Sequence, residues 1–250
     1  MNEWLDDLKT AIAFLTRLPM PHRDGSVRAD FARAQRVFPV VGAAIGGAVG
    51  LVCLLLRLVN VPDLAAAALA LGAGAILTGA LHEDGLADVG DGFGGGNDAA
   101  AKLAIMRDSR LGTYGALLLL VSFAAKFSAL AAIPDHYVIQ SLIAAHALAR
   151  GVLPAMSMSL PFARHDGLAR DAGQPDFAIV AAAAIIALII ALLSLSWGNA
   201  FWAAILTALS AAGMAWLAKR QIGGQTGDVL GATEQIVETA ILVLLAARLG

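Results

Sequence analysis

Seven apolar runs, each about as long as a bilayer is thick, divide this chain at roughly 38–58, 62–81, 113–133, 137–160, 177–196, 199–217 and 229–248. A helix needs about 20 such residues to cross roughly 30 Å of hydrocarbon. In lipid a segment has to satisfy its own backbone hydrogen bonds, which leaves helices or closed barrels. The runs lack the period-two alternation of barrel strands. They are rich in alanine and glycine, the small residues that let helices approach closely in lipid. The fold class is therefore all-α, a polytopic membrane bundle of about seven transmembrane helices. No linker long enough to divide domains interrupts 1–250, so the chain reads as a single integral membrane domain. Only 14% of the residues are charged, against about 25% in a soluble domain. With 59% hydrophobic residues a disordered chain is excluded. A net charge of −2 supplies no bulk attraction to nucleic acid. The single cysteine, Cys53, rules out an intrachain disulfide framework.

Ahead of the first run, Trp4, Leu8, Ile12 and Leu15 recur at helical spacing, with Asp7 and Lys9 pointing elsewhere. That pattern predicts an N-terminal interfacial amphipathic helix, lying on the membrane surface or packed on the bundle. Glu3, Asp6 and Asp7 stand where a secretory signal would be basic. Lys9, Arg17, Arg23, Arg28, Arg33 and Arg36 precede the first run. Lys102, Arg107 and Arg110, then Arg164 and Arg170, then Lys219 and Arg220 fill the alternate loops, thirteen cations on one side. The other side has Arg57 and Arg248 near span ends. By the positive-inside rule the N-terminus and the loops 82–112, 161–176 and 218–228 are cytoplasmic and the C-terminus lies outside. Pro154 predicts a kink in the fourth run.

The chemistry concentrates after the second run. Asp84, Asp88 and Asp91 stand at i, i+4 and i+7, within about 60° on a helix. Three carboxylates on one stripe repel each other unless a cation sits among them, and such hard oxygen donors suit Mg²⁺, Mn²⁺ or Ca²⁺. The competing reading is a solvated acidic loop, because Gly85, Gly90 and Gly92 weaken a helix. Glu83 lies about 100° off the stripe. The glycines at 92–96 lack the spacing and the preceding strand of a dinucleotide fingerprint, so a flexible loop is expected there. Gly223-Gly224-Gln225-Thr226-Gly227-Asp228 reads either as a phosphate-wrapping helix start or as a tight turn with Asp228 as the N-cap. Arg107 and Arg110 lie on the same side as the stripe, where arginine forks suit phosphate and also fix topology. Arg150, Glu234 and Glu238 fall inside spans, where lone charges are costly. Equal depth predicts that Arg150 pairs with Glu238, and His146 reads as an interior histidine.

Several strings together resemble the cobalamin synthase family, the adenosylcobinamide-GDP ribazoletransferases of vitamin B12 assembly, through most of the chain. They are Phe38-Pro39-Val40-Val41-Gly42, Leu81-His82-Glu83-Asp84-Gly85-Leu86-Ala87-Asp88 and Asp91-Gly92. Two more are Ile105-Met106-Arg107-Asp108-Ser109-Arg110-Leu111-Gly112 and Gly223-Gly224-Gln225-Thr226-Gly227-Asp228-Val229-Leu230-Gly231-Ala232. The resemblance implies an integral transferase of the bacterial cytoplasmic (inner) membrane that uses Mg²⁺. It joins adenosylcobinamide-GDP to α-ribazole or its 5′-phosphate, giving adenosylcobalamin or its 5′-phosphate and GMP. Its partners would be those substrates and the lipid bilayer, with a homo-oligomer allowed and no nucleic acid. The residue chemistry fits phosphoryl transfer, where positioning and electrostatics dominate. Asp84, Asp88 and Asp91 are expected to hold the metal, and Arg107 and Arg110 to grip the diphosphate. Asp228 is expected to complete the site or help deprotonate the attacking hydroxyl. A CDP-alcohol phosphotransferase would share the chemistry, but Asp88 stands where that family's Asp-Gly-x-x-Ala-Arg string has arginine. A secondary transporter would use Arg150, Glu234 and Glu238 as an ion path and leaves the aspartate stripe unexplained.

Overall fold

The computed structural model describes residues 3–20, 27–164 and 173–250, with backbone alone at 27–30. Arg23, Arg28 and Arg170, counted above for sidedness, lie outside the described side chains. Among the described residues the regular structure is helical, apart from a single isolated bridge between Phe162 and Gln225. Six helical stretches are long and apolar enough to cross a membrane singly. They include Phe31–Leu58, which contains α3 (Phe38–Leu58), and α7 (Thr113–Ala132), α10 (Phe177–Ser194), α11 (Trp197–Ile222) and α12 (Gly227–Leu249). The sixth, Asp135–Ser159, is divided into α8 (Asp135–Gly151) and α9 (Leu153–Ser159). Pro154 sits in the first turn of α9, so the proline breaks the span where its missing N–H predicts.

The remaining run departs from a simple span. Its helix α4 (Asp63–Thr78) has 16 residues, about 24 Å at 1.5 Å per residue, short of the hydrocarbon thickness. The chain then turns by 94° into α5 (Leu81–Gly95). Gly79 and Ala80 make the turn with φ of 68° and 54°, both left-handed. Arg17 closes it, its backbone N–H donating to the Leu77 carbonyl at 2.8 Å. The two helices together carry the chain from one end of the bundle to the other. At one end Arg57 reaches Asp63 at 3.3 Å and Asp135 at 2.6 Å, and donates to the Ile133 and Leu130 carbonyls. At the other, basic end Lys102 of the short α6 (Ala99–Ile105) donates to Gln221 of α11. Counting the bent pair once, up to seven stretches of the described residues are long and apolar enough to cross a membrane.

The expected loop at 82–112 is thus mostly helix. The glycines at 92–95 belong to α5 rather than to a flexible loop. Their low helix propensity is overridden by packing, because α5 is wedged between α7 and α12.

The core runs along the α3–α8 contact. Gly42, Gly46 and Gly50 form a stripe on α3, and a Cβ on Gly42 or Gly46 would meet the His146 or Leu142 carbonyl of α8. This is the small-xxx-small geometry by which helices approach closely in lipid. Val41, Ile45, Val49, Leu142, Ile241 and Leu245 fill the adjoining core.

The N-terminal helix α1 (Glu3–Leu15) packs on this bundle, with Ala11 and Leu15 buried and Leu8 and Ile12 partly so. Its inward face is rotated from the one expected. Trp4 is about half exposed, and Asp7, expected to point away from the apolar face, is fully buried. The cause is charge: Asp7 accepts from Nε of Arg33, on α2 (Val27–Ala34), at 2.9 Å and of Arg36 at 2.7 Å. Trp4 lies beneath the Arg36 guanidinium at 4.0 Å.

Candidate active site

The site forms where α5 crosses the start of α12. Gly85 makes the crossing close, since a Cβ there would lie 2.8 Å from the Asp228 carbonyl and 3.2 Å from the Gly231 Cα. The glycine that weakens α5 as an isolated helix is what brings the acidic strings together. On α5 the three aspartates are buried progressively: Asp84 is exposed, Asp88 intermediate and Asp91 buried. The carboxylates of Asp228, Asp84 and Asp91 and the guanidinium of Arg164 all act electrostatically on Asp88.

Asp91 has a second task that spacing alone does not reveal. Its two carboxylate oxygens accept the backbone N–H groups of Gly112 at 2.7 Å and Gly115 at 2.8 Å. They thereby cap the N-terminus of α7, where unsatisfied N–H groups favour an acidic side chain. A Cβ at Gly112 or Gly115 would collide with that carboxylate.

The Gly-Gly-Gln-Thr-Gly-Asp string is a tight turn, but Asp228 is not its N-cap. Thr226 caps α12, its Oγ1 accepting from the Val229 N–H at 3.2 Å while donating to Asp228 Oδ2 at 3.2 Å. Gly223 ends α11 in the left-handed region with φ of 78°. Gly224 leaves no space for a side chain against the Pro161 carbonyl. Gln225 laces the turn to the segment after α9. Its N–H donates to Pro161 O at 2.8 Å, its carbonyl accepts from Ala163 N at 2.9 Å, and its Nε2 donates to Ser157 O at 2.6 Å. Asp228 is freed from capping and stands 3.3 Å from Arg164 Nη1.

The structure treats the two expected phosphate-binding arginines differently. Arg107 and Arg110 are both exposed on the turn between α6 and α7. Arg110 forks onto Asp108 two residues away, at 2.5 Å, and holds that carboxyl below the usual carboxylate range. Arg164, singled out by sequence only for sidedness, is the cation salt-bridged to the aspartate group.

Below this mouth, α12 carries a second set of charges into the core. Arg150 Nη1 lies 2.5 Å from Glu234 Oε1 and 3.8 Å from Glu238 Oε2, so its main partner is Glu234 rather than Glu238. Glu238 is taken by Lys126 at 3.2 Å and by His146 Nδ1 at 3.1 Å. His82 of α5 reaches Glu234 at 3.4 Å. Glu83, off the aspartate stripe as its spacing requires, lines a cavity of about 10 Å³ with Lys126, His146, Arg150 and Glu238. His146, Glu234 and Glu238 offer ligand atoms within 4.8 Å of one another, the one such acidic or histidine triad among the described residues. The Arg150 guanidinium already fills that space, lying 2.8 Å from His146 Nδ1. This is a buried salt-bridge network, whereas the ligand atoms of Asp84, Asp88 and Asp91 do not converge on one point.

Comparison with known proteins covers nearly the whole molecule. Residues 7–246 match the family model described as cobalamin-5-phosphate synthase. A protein of Bradyrhizobium diazoefficiens named adenosylcobinamide-GDP ribazoletransferase is 46% identical over 246 residues, 96% of this chain and 93% of its own. Relatives of the same name from Mesorhizobium japonicum and a Sinorhizobium species are 43% and 40% identical. The first alignment covers 98% of this chain and 94% of the relative, the second 98% of each. No solved structure matches.

Proposed function

The chain belongs to the cobalamin-5-phosphate synthase family, and on that premise we propose that the α5–α12 crossing is its reaction centre. The protein is an adenosylcobinamide-GDP ribazoletransferase: it joins adenosylcobinamide-GDP to α-ribazole or α-ribazole 5′-phosphate and releases GMP. The observation that carries the site assignment is the Gly85–Asp228 contact. It joins two acidic strings about 140 residues apart in the sequence into one mouth at the basic end of the bundle.

A ribose hydroxyl of the acceptor attacks the phosphorus bearing the corrinoid's aminopropanol arm, and the bond to GMP breaks. The residues suit a divalent cation, because Asp84, Asp88, Asp91 and Asp228 set four carboxylates against the Arg164 guanidinium. Asp84 and Asp88 would hold Mg²⁺, with Asp91 beside them fixing the loop that carries Arg107 and Arg110. Bound there, Mg²⁺ supplies neutralisation of diphosphate charge and of the departing oxygen. Asp228, oriented through Oδ2 by Thr226 and Arg164, is the carboxylate that accepts the hydroxyl proton. Arg107 and Arg110 meet the substrate from the exposed side. The basic end faces the cytoplasm of the bacterial inner membrane, where the nucleotide substrate is dissolved.

The lipid phosphotransferase and transporter readings are not favoured. The whole-length family match goes against both, and Arg150, Glu234 and Glu238 are closed into ion pairs rather than lining a path. The test is GMP release by purified protein given adenosylcobinamide-GDP, α-ribazole and Mg²⁺. Asp88→Asn should lower turnover at least a hundredfold, and chelation should abolish it. Full turnover in either case would overturn the metal-bearing role of α5.

A further inference from the structure

We infer that Arg164 binds the diphosphate of the GDP-linked donor, an inference that rests on the transferase reading above. The residue is built into the site. Its backbone lies on the segment stitched to the α12 turn by the Ala163–Gln225 and Gln225–Pro161 bonds, so its position is fixed relative to Asp228. Its side chain is 15% exposed. One corner of the guanidinium is anchored, Nη2 donating to the Leu103 carbonyl at 3.1 Å. Nη1 stands 3.3 Å from Asp228, too long for a tight ion pair. Nε is buried and has no hydrogen-bond partner among the described residues.

A buried donor left unmade is costly, and a guanidinium with Nε unmade and Nη1 only loosely paired keeps donors for phosphate oxygens. The surrounding charge makes the same demand. A diphosphate entering among Asp84, Asp88, Asp91 and Asp228 meets like charge, and Arg164 is the guanidinium already placed among them. Arg110 shares its guanidinium with Asp108 at the exposed turn, whereas Arg164 is buried beside Asp228. When donor binds, its oxygens replace Asp228 on the fork, and Asp228 is released toward the attacking hydroxyl.

The test uses the full-length protein in detergent with Mg²⁺, and GDP as the probe. GDP affinity is measured by calorimetry, KM is measured separately for donor and acceptor, and melting temperature is recorded. Arg164→Gln should weaken GDP binding at least tenfold and raise donor KM in step. Acceptor KM should stay within twofold and melting within a few degrees. Arg164→Lys, keeping charge without the fork, should fall between. If both variants bind GDP like the parent while kcat falls, Arg164 only positions Asp228 and the inference is overturned. If the parent chain itself binds no GDP, the transferase reading falls, and this inference with it.

Discussion

Arg150→Met should be the most destabilising single change in the buried network, and the distances say by how much. Arg150 and Glu234 are 2% and 0% exposed in their side chains and 2.5 Å apart. Removing the arginine leaves Glu234 with the Gln235 amide at 3.0 Å and His82 at 3.4 Å, and no permanently charged partner. Stranding a buried charge in this way costs about 3–5 kcal/mol. Glu234→Gln should cost less, because Arg150 still has Glu238 at 3.8 Å. The double variant removes both charges and should lose only about 1–2 kcal/mol, so the cycle should show coupling of at least about 2–3 kcal/mol, raised further by whatever Glu234→Gln costs alone. The parallel cycle of Arg150 with Glu238 should give under about 1 kcal/mol, since Lys126 and His146 hold that carboxylate. Denaturant unfolding in mixed micelles, followed by circular dichroism, measures all of these. Stronger coupling to Glu238 than to Glu234 would refute the pairing and restore the partner that depth alone suggests.

Asp91→Asn keeps the shape of the α7 cap but leaves one of its two N–H bonds unmade, so the protein should lose about 1 kcal/mol of stability besides activity. A variant that loses turnover with unchanged melting would show Asp91 acting on substrate alone. Ala80→Gly should stabilise the protein by about 1 kcal/mol, because an L-residue at φ 54° is strained where glycine is not. A fall in melting temperature would contradict that account of the bend. Cysteine placed at Asn97, in a chain whose own Cys53 is buried, should resist labelling by an impermeant thiol reagent in intact cells. Cysteine at the exposed His136 should label. The reverse pattern would invert the proposed sidedness.

Much of the bundle is legible in the sequence because hydropathy maps directly onto membrane crossing. The run at 38–58 coincides with α3, and Pro154 breaks its span as expected. The bend in the second run is hidden because Gly79 and Ala80 are apolar and read as continuous helix. Asp84 and Asp88 are legible as one face of a helix. Asp91 obeys the same spacing, and only the fold brings Gly112 and Gly115 to it. For Arg150 the sequence supplies depth but not azimuth, and azimuth decides between two glutamates one turn apart on α12. Arg164 carries no local signal at all. Its place depends on Gly224 and Gln225, some sixty residues on, stitching its segment to the turn.

The order of the buried charges along the chain also bears on how the protein is made. Lys126 and Arg150 enter the membrane before α12 exists, and about eighty residues of synthesis separate Arg150 from Glu234. At roughly 5–20 residues per second that is a wait of about 4–16 s. Throughout it two cations sit in the bilayer without their anions, at about 2.5–3.5 kcal/mol each on the insertion scale. The last helix is apolar enough to cross alone, and it carries the anions that those cations lack. A chain cut before Glu234 would leave both cations without those anions, and its bundle should be less stable than that of the full chain.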